Sequence, residues 1–414
     1  MKNNIRRTVI GVALIAAVVL AGPAAAEWNK GLEAYKAKDY STAAKEFQEV
    51  TETNPDYVGG YYMLGLCQRA QNNLSAAIGN LRKAVDLDSA GDAPDPRYSI
   101  ALAQALIQAK QHNEAYAALK KFSFSSLPSS YRTSYALLFA NAANETNRSG
   151  EAVNVLNAQI KADSRNAGLY QALGVAENEL GDDKAAYAAF KRAWELDSSD
   201  QATGRYAVRS AIATARRSSS AGEKNRYYTE AAQIAEKLAA ANPTFEHNLY
   251  AGEAWLGAKQ YSKALGWFDK ARTQQSRNAL VHYYIGQCYS SLDKYSDALS
   301  SLQKALSLGS GDADLRKKIY NQMGYVHEKN RDFIKAKQAY LEAGNTRQAA
   351  AMDDKEAAKA GNIEHERQCR EFKNKIDALA LQAEEFEKLG DMDSAKQMRE
   401  QLSVLQRQYA ETCS

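Results

Sequence analysis

Between Tyr283 and Leu308 the apolar positions recur at spacings of three and four, and a polar turn at Asp293-Lys294 interrupts them once. The spacing predicts two amphipathic helices folded into a hairpin. The first presents Ile285, Gly286, Cys288 and Tyr289 on one face. The second presents Tyr295, Ala298, Leu302 and Ala305. Gly286 and Ala298 are small where two helices crossing closely need one side without bulk. A lone hairpin cannot bury both of its faces, so this unit needs neighbours.

The chain supplies them. Gly252 stands to Tyr261, Ala264, Phe268 and Ala271 as Gly286 stands to its own partners, and the two glycines are 34 residues apart. Trp28, Gly31, Tyr35, Tyr40, Ala43, Phe47 and Pro55 form a first unit, and Gly65, Leu74, Ala77, Leu81 and Ala84 a second. In the third and fourth, Ala103 and Ala140 replace the glycine, with Ala115, Leu119, Ala152 and Leu156 marking the second helices. Tyr170, Leu173, Gly174, Gly181, Ala186, Phe190 and Ala193 make a clean fifth. The sixth departs most: a helix over 201–217, a polar loop over 218–225, a second helix and then Asn242-Pro243. A ninth carries Tyr320, Gly324, Phe333, Ala336, Tyr340 and Ala343.

This recurrence resembles the tetratricopeptide repeat, with about nine copies over 27–344. The resemblance implies an all-α, right-handed superhelix whose first helices line a groove for a peptide or protein segment. On that basis Trp28, Leu32 and Tyr35, and then Tyr62, Leu66 and Arg69, are the expected groove residues, at i, i+4 and i+7 of two successive first helices. The same residues would equally serve to seal the first face of the array. The lysine and asparagine types of the family's chaperone-binding clamp are absent from those places, so that function does not carry over. Arg205, Arg209 and Arg216 fall on one side of the sixth unit's first helix, a face for an anionic ligand or simply a solvated basic one.

After Gly344 the pattern changes. Residues 345–362 are read as a capping helix or linker that covers the last repeat. Over 363–414 a heptad seam of Cys369, Phe372, Ile376, Leu379, Ala383 and Phe386 stops at Leu389-Gly390-Asp391. It resumes with Ala395, Met398, Leu402, Leu405 and Tyr409. Folded back antiparallel, Phe386 faces Ala395, Ala383 faces Met398, Leu379 faces Leu402, Ile376 faces Leu405 and Phe372 faces Tyr409. Cys369 then lies beside Cys413, and a disulfide between them is expected in an oxidising compartment. The alternative is two free thiols on a frayed end. Cys67 and Cys288, each two residues after a repeat glycine, read as buried and unpaired.

The N-terminus bears on the compartment. Lys2, Arg6 and Arg7 precede an apolar run over 9–20, and Ala24-Ala25-Ala26 follows, the order of a signal peptide over 1–26 with cleavage after Ala26. The apolar run is short for a membrane anchor. Loss of those three cations lowers the formal charge from +4 to +1, which argues against nucleic acid as a partner. A periplasmic location, with no membrane span after cleavage, is the expectation.

Catalytic chemistry is not visible. His327-Glu328 and His365-Glu366 open like a zinc-protease motif, but Arg331 and Cys369 occupy the places of its second histidine. His365 and Cys369 alone are too few for a metal site. No cofactor, metal or enzymatic activity is expected. The expected function is a periplasmic scaffold or adaptor for a protein or peptide partner in the cell envelope, in its assembly or maintenance. The alternative is a component of a polysaccharide or protein export apparatus.

Overall fold

The computed structural model describes residues 23–91, 93–309 and 311–413. All but the last four residues of the expected leader lie outside them. The described residues form helices joined by short turns and no strand, in two compact units that meet in sequence at Asn242 and Pro243.

The first unit holds α1 (Pro23–Lys36), α2 (Tyr40–Thr53), α3 (Val58–Ala70), α4 (Leu74–Asp88), α5 (Pro96–Gln108), α6 (His112–Lys120), α7 (Ser129–Asn144), α8 (Ser149–Ala162), α9 (Ala167–Glu179), α10 (Asp183–Leu196), α11 (Gln201–Arg217) and α12 (Ala221–Ala241). The second holds α13 (Phe245–Gly257), α14 (Tyr261–Gln274), α15 (Ala279–Ser291), α16 (Tyr295–Leu308), α17 (Ala313–Lys329), α18 (Phe333–Glu342), α19 (Thr346–Lys388) and α20 (Met392–Cys413). Odd and even helices pair from α1 to α18, one pair per repeat. We call the odd members first helices and the even ones second helices.

Each pair is closed by the same device. A Cβ added to Gly252 would stand 2.5 Å from the Phe268 ring, and one added to Gly286 2.7 Å from Leu302. The small residue of the first helix is therefore the seat of a large side chain from the second. Phe268 and Leu302 are fully buried. The turns repeat as well. Lys38, Asn72, Lys110, Asn147, Gly181, Lys259, Asp293 and Arg331 all adopt positive φ, where the chain reverses between the two helices of a repeat. In four of these turns the next residue is Asp39, Asn73, Asp182 or Asp332, and its side chain accepts from a backbone N–H three residues on. Such caps satisfy donors that the helix itself leaves open.

Second helices are tied to one another by side chains. Tyr116 and Lys120 of α6 both donate to Glu151 of α8, and Tyr187 and Lys191 of α10 both donate to Glu230 of α12.

Two expected boundaries are corrected. The polar loop of the sixth repeat is three residues long, because Ser220 accepts from the Glu223 N–H while Ser218 Oγ donates to the Glu223 carboxylate. This is a cap built from Ser220 and Glu223, and it starts α12 at Ala221. The change of element expected at 362/363 falls inside α19, which is continuous over 43 residues. Gly361 costs the helix about 1 kcal/mol relative to alanine, too little to end it without a proline or cap beside it.

Along α19 and α20 the expected seam positions are the half-buried ones, with Ala383 and Ala395 fully enclosed. Gly390, at φ +81°, makes the reversal. Cys369 and Cys413 are joined as a disulfide with their Cα atoms 5.7 Å apart, closing a sequence separation of 44. A loop of that size restricts the unfolded chain by about 4 kcal/mol. Cys67 and Cys288 are free and fully buried, and burial pushes each thiol up to about 12. Native protein at pH 8 should therefore take up no maleimide. Denaturation without reductant should expose two thiols, and denaturation with reductant four, as read by intact mass. Labelling of Cys369 or Cys413 before reduction would remove the crosslink.

Candidate functional site: an amide-lined groove

The groove lies in the first unit. Four successive first helices, α5, α7, α9 and α11, line a space of about 820 Å³. Its apolar wall includes Ile107, Leu137, Leu138, Ala172 and Val175. Its polar groups include Gln104, Asn141, Asn144, Gln171, Asp200 and Arg205.

The polar groups differ in how well they are satisfied. Asp200 caps α11, accepting from the Ala202 N–H at 3.0 Å and the Thr203 N–H at 3.4 Å. Its second oxygen accepts from Thr203 Oγ1 at 2.8 Å and Gln171 Nε2 at 3.1 Å. That carboxylate fixes the ends of α9 and α11 against each other. Asn141 and Asn144 contrast with it: each side-chain oxygen is buried with no hydrogen-bond partner. An unmet buried acceptor costs roughly 1–3 kcal/mol.

The sequence-predicted residues divide into two groups. Trp28, Leu32 and Leu66 are half-buried against the cluster of Ala43, Phe47, Met63, Leu64 and Cys67. Trp28 meets Phe47 edge-on with centroids 5.2 Å apart, and Tyr57 at 5.3 Å. Tyr35, Tyr62 and Arg69 come together at the side facing the next repeats. Tyr62 meets Tyr98 of α5 at 5.1 Å, and Arg69 Nη1 donates to Gln104, itself a groove residue. Burial pushes the Tyr62 hydroxyl up to about 12. In the sixth repeat Arg205 lines the groove, while Arg209 and Arg216 are exposed on the same helix.

Gln104, Asn141, Asn144 and Gln171 escaped the sequence reading, although a signal for them existed. Relative to the small residue of each repeat, the expected groove positions of the first two repeats lie three before, one after and four after. Carried to Ala103, Ala140, Gly174 and Gly204, that rule selects twelve residues, of which Gln104, Ile107, Leu137, Asn141, Asn144, Gln171, Val175, Gln201 and Arg205 line the groove. The other three, Ile100, Asn178 and Val208, do not, and Ile100 and Val208 are buried in the core instead.

Among the described residues no cluster of three or more His, Cys, Asp or Glu side chains is placed to hold a metal ion. Among them, too, no helix is long and apolar enough to cross a membrane.

A family model described as tetratricopeptide repeat matches residues 29–93, and one described as anaphase-promoting complex, cyclosome, subunit 3 matches residues 224–305. No curated protein matches the chain. Similar solved structures include MamA from Desulfovibrio magneticus RS-1, 17% identical, with a TM-score of 0.36 over 44% of this chain and 96% of that one. YrrB, titled a TPR protein with an unusual peptide-binding site, is 18% identical, with a TM-score of 0.35 over 50% and 97%. A thermophilic TPR protein of Thermus thermophilus is 16% identical, with a TM-score of 0.33 over 45% and 97%.

Asp200→Ala should lower stability by about 1–2 kcal/mol through the lost cap and the released Gln171. Urea unfolding followed by circular dichroism checks this. An unchanged midpoint would mean that Asp200 does not hold the groove wall.

Proposed function

We propose that this chain, a tetratricopeptide-repeat protein and interaction scaffold, holds an extended segment of a partner protein in the groove of its first unit. The observation that carries the reading is the pair of buried, unpartnered amide oxygens at Asn141 and Asn144. An extended peptide offers a backbone N–H at every residue, so it supplies the donors those oxygens lack. Its side chains meet Leu137, Leu138 and Val175. A rigid apolar wall studded with a few amides grips main chain without demanding one sequence, which suits an adaptor.

We place its work outside the cytoplasm, in assembly or maintenance of the cell envelope. The charged, apolar and small-residue order of 1–26 supports export. The crosslink of Cys369 and Cys413 suits an oxidising compartment. The export-apparatus alternative would use Arg205, Arg209 and Arg216 on an anionic glycan, and of these only Arg205 reaches the groove.

In-cell crosslinking from a photoreactive residue at position 138 should trap a protein partner, and the double change Asn141→Ala and Asn144→Ala should cut the yield at least tenfold. Because both changes remove unmet acceptors, the melting temperature should hold or rise. Equal trapping by the variant would refute the groove. Terminal sequencing of the same material tests export. A chain beginning at Glu27 supports it, and an intact leader on soluble protein counts against it.

A further inference from the structure

Beyond Lys359 the chain leaves the repeat array. Lys337 pairs with Asp353 at 2.7 Å, and Lys359 Nζ donates to the Arg331 carbonyl at 3.1 Å. Further along, the polar side chains of α19 bond within the helix or to α20, and α20 packs against α19 rather than against the repeats. Residues 363–413 therefore form a two-helix arm, crosslinked near its base by Cys369 and Cys413 and reversed at its tip by Gly390. The seam inside the arm is thin. Phe372, Ile376, Leu379, Leu402 and Leu405 are each only half-buried, because two helices cannot surround them. The two flanks of the seam differ. On one, Glu387 and Arg399 meet across it at 2.7 Å. Arg370, Lys373, Asp377, Glu384 and Lys396 share that flank by heptad position. On the other, α20 presents Ser394, Gln397, Gln401, Val404 and Gln408, none of them charged, and α19 presents Ala378 and Gln382. Val404 there is 56% exposed. The ion pair closes one flank, and the small and amide side chains leave the other open.

We propose that the uncharged flank is a self-association surface, on which the arms of two copies pair antiparallel into a four-helix bundle. The arm is about 35 Å long and about 20 Å across its two helices, so one flank offers about 700 Å². Two such flanks bury about 1,400 Å², the size of a stable specific interface. The pattern also complements itself. Within the arm, residue 380 stands level with Gln401. A twofold axis crossing at that level sets Gln401 against Gln401 of the second copy, Gln382 against Ala378, and Lys375 against Glu385. A side chain on such an axis must tolerate itself, and an amide does, since it donates and accepts at once. Lys375 and Glu385 are exposed, so their attraction selects the direction of pairing more than its strength. The parallel alternative stacks tip on tip, where Glu384, Glu385, Asp391 and Asp393 of the two copies repel.

Sedimentation velocity of the full chain tests it. Wild-type protein at micromolar concentration should sediment as a dimer. Gln401→Glu, which sets a charge against its own copy on the axis, should weaken association at least tenfold. Ser403→Glu, on the opposite flank, should leave it unchanged. Lys375→Glu and Glu385→Lys should each weaken the dimer, and the two together should restore it, because the ion pairs are remade with reversed sign. Gln401→Cys should crosslink to a second copy on mild oxidation, with buried Cys67 and Cys288 untouched. A wild-type monomer at every concentration overturns the proposal, as does a dimer indifferent to Gln401→Glu. Failure of the double charge reversal to restore the dimer overturns its antiparallel direction. In cells, a photoreactive residue at position 401 should give a product of twice the chain's mass. A crosslink to a different protein in its place overturns self-pairing. Circular dichroism of each variant, expected to show unchanged helix content because these positions are exposed, excludes misfolding as the cause of any loss.

Discussion

The fit of a ring or branched side chain against a small residue sets the geometry of every helical pair. Gly31 faces Phe47, Gly65 faces Leu81, Gly174 faces Phe190 and Gly324 faces Tyr340, each with room for no additional carbon. Because the seat recurs at the same place, successive first helices emerge at a common height and angle from their partners. A groove that runs straight across α5, α7, α9 and α11 requires that regularity. Ala103 and Ala140 show the tolerance of the rule: a methyl is admitted, and both remain buried. Leu119 and Leu156 of the second helices in these two repeats are fully buried in the same cluster.

Some polar groups of the first unit answer one another and some do not. Between second helices, Glu151 and Glu230 each accept from a tyrosine and a lysine of the preceding repeat. For Glu230 burial raises the pKa, but the bonds from Tyr187 and Lys191 outweigh it and the carboxyl is held below its usual range. Such links stiffen the stack at little cost. On the first helices, Asn141, Asn144 and Arg69 are left incomplete. The stability lost there is borne by the packing behind it, where Tyr135, Phe139 and Leu156 are buried in one continuous cluster. Buried side-chain atoms without a partner also occur on second helices, at Glu46, His112 and Gln159; those of Asn141 and Asn144 differ in belonging to residues that line the groove.

Much of this was legible in the residues. Helical period, the 34-residue spacing and the small-to-large pairing define the repeats directly, and the seam of α19 and α20 places Cys369 beside Cys413 on sequence alone. What escaped did so for physical reasons. The extent of α12 turned on a capping pair, Ser220 and Glu223, hidden within a run of small polar residues that reads as a loop. The continuity of α19 through Gly361 reflects cooperativity: one weak residue in a long helix is carried by its neighbours. The amide rungs were missed because the groove offsets were applied only to the aromatic-rich first two repeats, although Ala103 and Ala140 already gave the register that selects Gln104 and Asn141. Conversely, Trp28 and Leu32 obey the groove spacing yet lie against the first core, where Trp28 meets Phe47 edge-on.

The placement of an arginine at position 69, rather than a lysine, follows from the surroundings. A lysine ammonium is compact and strongly hydrated, and half-burial beside Tyr35 and Tyr62 would strip its water without offering enough acceptors. A guanidinium is less strongly hydrated and planar, so it can lie among aromatic rings and give up one edge to a neutral amide. Gln104 takes that edge and so fixes the plane. Arg97 differs in having an acid beside it, Asp95 at 2.7 Å. Two arginines near the same tyrosine, Tyr62, are thus held differently: Arg97 by the carboxylate of Asp95, and Arg69 by the neutral amide of Gln104.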